Sequence, residues 1–234
     1  MISDLHLPHR LGKRPAPEPL RRHVHQLELP LAHPFDPLPL LDRIRLGLMT
    51  LRVRRIDDWR ALGEKHGFIV VVPHFTAADF PGSNEFNQGH VFDSTTGERR
   101  PPGEWTFAAI EPLFDDARRR FRMSTPRYAL YGHSAGSQFV HRFIFHVPSA
   151  RVSQIVSANA GWYMMPDFQV AYPYGLAGSV ITPEMLTKAL SLPVTVLLGE
   201  LDTDPDHPNL RRAPEAMAQG AYRLARGQAF FRQA

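Results

Sequence analysis

The pentapeptide Gly132-His133-Ser134-Ala135-Gly136 sets a serine two residues from a glycine on either side. A serine hydroxyl is a weak nucleophile until its backbone position and a neighbouring base activate it, so the flanking sequence decides what Ser134 can do. The run RYALY, 127–131, is short and β-rich, and Phe139, Val140, Phe143, Ile144 and Val147 recur at helical spacing after the motif. A strand that turns sharply into a helix holds such a serine in a strained conformation at the carboxyl end of a sheet, open to substrate. Glycines are expected at 132 and 136 because a Cβ on either side would collide in so tight a turn. The N–H of Ala135, at the mouth of the helix, is a candidate donor to an oxyanion formed on the attacked carbonyl.

A second group of chemically capable residues follows the apolar run PVTVLLG, 193–199, in the loop ELDTDPDHPNLRR. Asp202 stands just after a strand, where a carboxylate reaches the carboxyl edge of a sheet, and Asp204 is the second choice. The alternative is that Asp202, Asp204 and Asp206 are only turn and cap residues. A calcium loop is disfavoured, because His207 occupies the sixth position, where glycine is needed, and Ala213 the twelfth, where a glutamate should chelate.

A base for Ser134 is harder to find. His207 is the one histidine after Asp202, five residues along the same short loop, and would have to fold back over the site. His133 adjoins Ser134 and should point elsewhere. His141 and His146 fall on the helix after the motif, His74 ends the 68–72 run, and His90 lies in a long loop; for each of these a structural role is the simpler expectation.

The elements that position these residues alternate. IDDWRALGEKHG predicts a helix from Ile56, with Trp59, Ala61 and Leu62 inward and Gly67 as its cap. FIVVV, 68–72, predicts a strand buried on both faces. Residues 73–103 read as a loop, and a helix over 104–121 should bury Trp105, Ile110, Leu113, Phe114, Ala117 and Phe121, with a kink at Pro112. Strands are expected at 127–131, 152–158 and 193–199, the last of them buried, and helices at 135–147, from Pro183 to about 190 with Thr182 as cap, and at 214–232. Four such βα units imply an α/β fold with a doubly wound, mostly parallel sheet. Asn159, Trp162 and Tyr163 should line its pocket, because their loop leaves the strand beside the serine strand.

At 234 residues and 43% apolar, the chain suits one core. It has no cysteine, which excludes disulfides, thiolate chemistry and cysteine-bound zinc. The net charge of +4 resides in the first quarter, where residues 1–60 hold 11 Lys/Arg against 7 Asp/Glu. That segment also carries eight of the 22 prolines between positions 5 and 41, so 1–55 is expected to be an irregular, basic, Pro-rich arm and 56–234 the folded domain. It lacks the interleaved aromatics of a nucleic-acid arm, so no nucleic-acid partner is expected. No long apolar run and no secretory signal are legible, which leaves no membrane partner and a cytoplasmic location by default.

The segments YGHSAGSQFVHRF, SANAGWYMMPDF, YPYGLAGS and LLGELDTDPDHPNLRRAPEAMAQG together resemble α/β-hydrolase-fold esterases, near the polyhydroxyalkanoate-depolymerase and feruloyl-esterase-like group. The resemblance extends from Ile56 to Phe231 and implies a serine hydrolase of carboxylic esters, with Ser134 as nucleophile, Ala135 as oxyanion donor and Asp202 as the acid of a Gly-x-x-Asp turn. It implies a small-molecule or polymeric ester as substrate, and neither metal nor organic cofactor. In that group the histidine follows one more strand than this sequence carries before Ala234, and a second oxyanion donor comes from a His-Gly loop for which LGLMTLRVRR has no counterpart. The expectation is therefore a partial α/β-hydrolase fold without the final strand and histidine loop, from a chain cut short or altered in frame. The alternative is an inactive homologue that binds or scaffolds.

Overall fold

The computed structural model describes residues 54–234. The basic arm expected over 1–55 lies outside the described residues except for its last two positions. The helices are α1 (Arg54–His66), α2 (Gly82–Glu85), α3 (Ile110–Phe121), α4 (Ala135–His146), α5 (Pro183–Leu190), α6 (Pro214–Gln219) and α7 (Arg223–Gln233). The strands are β1 (Tyr128–His133), β2 (Val152–Ala158) and β3 (Val194–Leu197), paired in parallel in the order β1-β2-β3. Gly132 is opposite Ser157, and Ser157 opposite Val196, so the three strands end together at one edge. This is the α/β architecture with a parallel sheet that the alternating pattern implied.

Helix α4, the crossover from β1 to β2, closes one face of the sheet. Phe139, Val140, Phe143 and Ile144 point inward at helical spacing and meet Leu130, Val152 and Ile155 in one core. Helix α5 begins as expected, with the Thr182 hydroxyl accepting from the Met185 N–H at 3.2 Å and Pro183 in the first turn. On the opposite face, Trp59 of α1 sets its ring edge-on to Tyr131 at 5.3 Å.

Six local expectations fail, each for a physical reason. Ala61 and Leu62 of α1, expected inward, are exposed, Leu62 by 42%, because the helix meets the sheet through Trp59. FIVVV, 68–72, forms no strand among the described residues, and its five side chains are 39–46% exposed. β-branching supplies propensity, but only a ladder partner makes a strand. Pro112 does not kink α3, because it is the third residue of that helix, where no intrahelical acceptor awaits its missing N–H. Phe121, in the last turn of α3, is 43% exposed, although Ile110, Leu113, Phe114 and Ala117 are buried as expected. Leu197 is 48% exposed, so β3 is half-buried rather than buried. The helix expected over 214–232 is broken at Gly220, whose φ of 154° is outside the helical well.

The segment 73–103 packs despite its loop-like composition. Phe80 and Val91 are buried, and Phe75 and Phe86 stack against Phe139 of α4 at 5.6 and 5.5 Å. Glu111 then ties α3 to the sheet, accepting from the Tyr128 hydroxyl at 2.6 Å and from the Arg151 guanidinium at 2.6 Å.

Candidate active site

Ser134 links β1 to α4 with φ 56° and ψ −113°. That conformation is outside both the α and β wells and stores about 1–3 kcal/mol. The Ser134 N–H donates to the Ala158 carbonyl at 2.9 Å, which ties the turn to β2. A Cβ on Gly132 would sit 2.2 Å from the Gly136 carbonyl oxygen, so glycine is obligatory there. Gly136 is a different case: a Cβ would meet nothing within 4 Å, and the expected crowding on that side is absent. Ala135 is the first residue of α4, where a backbone N–H has no intrahelical acceptor.

The serine opens onto a cleft of about 640 Å³ that is bordered by Gln138, Asn159, Trp162, Asp202, His207, Arg211 and Arg223, among others. Asn159, at φ 53°, joins the three strand ends. Its N–H donates to Leu197, its Oδ1 accepts the Gly199 N–H at 2.7 Å, and its Nδ2 reaches His133 Nε2 at 3.4 Å. The Gly199 contact fixes which end of the amide is oxygen, so Nδ2 donates and His133 Nε2 accepts. His133 thus borders the cleft instead of pointing away from it.

Of the two aromatic residues expected at the pocket, Trp162 borders it and Tyr163 does not. Tyr163 is fully buried, stacked on Phe230 at 4.6 Å and close to His141 at 5.2 Å, and its main chain exchanges two hydrogen bonds with Gln219. Burial raises its phenol pKa above the usual value. Residues 162 and 163 diverge because neighbouring side chains on a turning loop take opposite sides, which aromatic content alone does not reveal.

Asp202 reaches the cleft, but its Oδ1 accepts from Arg223 Nη1 at 3.0 Å. The same guanidinium, through Nη2, meets His207 Nδ1 at 3.0 Å, and the Asn209 N–H donates to that nitrogen at 3.1 Å. Nδ1 is therefore an acceptor, and the neutral ring carries its proton on Nε2. Asp204 accepts the Asp206 N–H at 2.8 Å within the turn, and Asp206 meets Arg212 only at 3.8 Å on the surface.

The remaining histidines are accounted for by packing. His141 is fully buried, donates from Nδ1 to Ser137, and accepts the Met164 N–H at Nε2; burial holds its pKa well below the usual value. His146 donates to the Arg142 carbonyl, and burial brings its pKa down to about 4. His90 pairs with Glu85 at 2.8 Å, and neither it nor His74 borders the cleft.

Three arginines complete the site. Arg211 donates to the Tyr174 hydroxyl at 2.9 Å, and Arg223 holds Asp202 and His207. Buried Arg226 donates to the carbonyls of Gly161, Arg211 and Gly220 at 2.9 Å each, pinning the loops after β2 and β3 to the helix break. Gln138 was findable from spacing, since four residues after Ser134 is one helical turn. The arginines had no such signal, because backbone carbonyls distant in sequence are among their partners. Among the described residues, no three His, Asp or Glu side chains converge as metal ligands would, and no helix is long and apolar enough to cross a membrane.

A parallel sheet whose strand turns through a strained residue into a helix, with a cleft at its carboxyl edge, is the framework of an α/β-hydrolase. Two solved structures share it. One is poly(aspartic acid) hydrolase-1 from Sphingomonas sp. KT-1, 47% identical with a TM-score of 0.71, matched over 78% of this chain and 70% of that one. The other is LpqC, a poly(3-hydroxybutyrate) depolymerase from Bordetella parapertussis, 33% identical with a TM-score of 0.71, matched over 76% of this chain and 59% of that one. No protein-family model and no curated protein matches the chain. The chain belongs to the α/β-hydrolase-fold family of these polymer hydrolases.

Proposed function

We propose that this protein is a serine hydrolase that cleaves acyl bonds in a carboxylate-bearing polymer or oligomer, through an acyl-enzyme on Ser134. The observation that carries this reading is the strained turn of Ser134 at the border of the cleft, with Ala135 as the first residue of the following helix. In the proposed reaction Ser134 Oγ attacks the scissile carbonyl and gives up its proton. The Ala135 N–H donates to the oxyanion, and the alkoxide or amine departs with a proton. Water then releases the acyl group and restores the hydroxyl.

The substrate's charge is read from the cleft wall. The guanidinium groups of Arg211 and Arg223 border it with one carboxylate, Asp202, which Arg223 already engages. A chain bearing carboxylates complements that wall, and one of the similar structures is a poly(aspartic acid) hydrolase. A neutral polyester is the competing substrate, by likeness to the poly(3-hydroxybutyrate) depolymerase.

A second reading, an inactive homologue that binds polymer without cleaving it, is favoured by the state of the acid and the histidines. Asp202 is held by Arg223, and His133 and His207 each use the acceptor nitrogen in a hydrogen bond with a neighbour. Without an activating base, turnover would fall to about 10³–10⁴ over water, supplied by binding and oxyanion stabilisation. The two readings are separated by hydrolysis of 4-nitrophenyl butyrate and of oligo-aspartate by the full chain beside Ser134→Ala. Turnover abolished by the substitution supports the hydrolase; saturable binding with no turnover supports the binding protein.

A further inference from the structure

Arg142 lies two helical turns beyond Ser134 on α4 and is completely buried. It has no carboxylate partner among the described residues. Its Nη1 donates to the Gln138 carbonyl at 2.9 Å, whereas Nε and Nη2 have no hydrogen-bond partner. Its guanidinium lies 4.2 Å from the ring centre of Trp162. Burial pulls its pKa down to about 10, so it remains charged at neutral pH.

Such a residue is costly to the fold. A buried cation with two donors unmet is a liability that an apolar side chain of similar volume would remove. The groups it touches indicate where the compensation lies. Gln138 and Trp162 both border the cleft, and Arg211, on the cleft as well, lies 6.0 Å from the same Trp162 ring. Arg142 is thus set behind the cleft wall, against the Trp162 ring, in a water-poor, low-dielectric surrounding that screens a charge far less than water does.

We infer that Arg142 is a specificity residue: its uncompensated charge, acting through the Trp162 wall, favours carboxylate-bearing over neutral ligands in the cleft. It touches no ligand itself, so its role is to set the potential in which Arg211 and Arg223 meet the ligand. The inference rests on the cleft being the substrate site, but it does not require that Ser134 turn substrate over. One charge acting over about ten ångströms at an effective dielectric near 20 corresponds to roughly a tenfold change in affinity.

The test is calorimetric binding of tetra-L-aspartate and of neutral tetra-L-asparagine to the full chain, to Arg142→Met and to Arg142→Lys. The wild type should prefer the acid. Arg142→Met should lose about tenfold for tetra-L-aspartate while keeping its affinity for tetra-L-asparagine, and Arg142→Lys should stay within about threefold of the wild type for both. Arg142→Gln carries the neutral arm if the methionine variant does not fold. A purely structural role would weaken both peptides together. That result, a lysine variant no better than the methionine one, or a wild type without preference for the acid would overturn the inference. Because binding is read in the Ser134→Ala background as well, failure of the catalytic reading and failure of this one give different outcomes.

Discussion

The two glycines of the Ser134 turn offer a matched pair of substitutions with opposite expected signs. In Gly132→Ala the new methyl would fall 2.2 Å from the Gly136 carbonyl oxygen, 2.4 Å from its carbon and 2.7 Å from Val140 Cγ2. Two of those atoms belong to the backbone of the turn itself, so relief requires β1 and α4 to separate. Overpacking that side chains can absorb costs about 1–3 kcal/mol, and a clash with backbone belongs at or above the top of that range. In a domain of this size about 3 kcal/mol lowers Tm by roughly 6–12 °C. In Gly136→Ala the methyl meets nothing within 4 Å, in the first turn of a helix where alanine outperforms glycine, so stability should stay level or rise by up to about 1 kcal/mol. Urea denaturation of both variants at one pH measures the difference. Equal stabilities, or a Gly132→Ala chain as stable as wild type, would refute the packing account of the turn.

Other expectations follow from the buried and paired groups. His146 has a folded-state pKa of about 4 against an unfolded value near 6.5, so the unfolded chain binds the extra proton between those values. Its contribution, on the order of 3 kcal/mol, should be fully present above pH 6.5 and lost as pH falls toward 4; His146→Gln should flatten the stability profile in that window. The His207 ring should show the Nε2–H tautomer by nitrogen NMR in the wild type, and Arg223→Met should shift that balance by removing the donor to Nδ1. An Nδ1–H tautomer in the wild type would contradict the Arg223 contact.

The unit from Tyr128 to Ala158 was legible in the sequence because its signals are local. A short β-rich run, a Gly-x-Ser-x-Gly turn and an apolar stripe from Phe139 to Ile144 are read within a few residues of one another. FIVVV misled because a strand is completed by a partner that need not be nearby in sequence. Gly220 interrupts the stretch 214–232 that was expected as one helix and is the break between α6 and α7. At the site, Ser134, Asn159, Trp162 and Asp202 could be placed at the cleft because each leaves the carboxyl end of a strand or follows one closely. Tyr163 could not be told apart from Trp162, and the state of Asp202 and His207 was invisible because Arg223 lies 21 and 16 residues further on. Arg142 and Arg226 carry no local signal in the sequence; only tertiary packing shows that one lies against Trp162 and the other is bound to three carbonyls.

Ser134, which borders the cleft, is proposed as the nucleophile. Incubating the folded chain with a fluorophosphonate probe and mapping the adduct by mass spectrometry tests it most directly, with Ser134→Ala as control. A nucleophilic Ser134 gives a single adduct that disappears in the control. Well-folded protein that remains unlabelled, or a label that persists in Ser134→Ala, would contradict it.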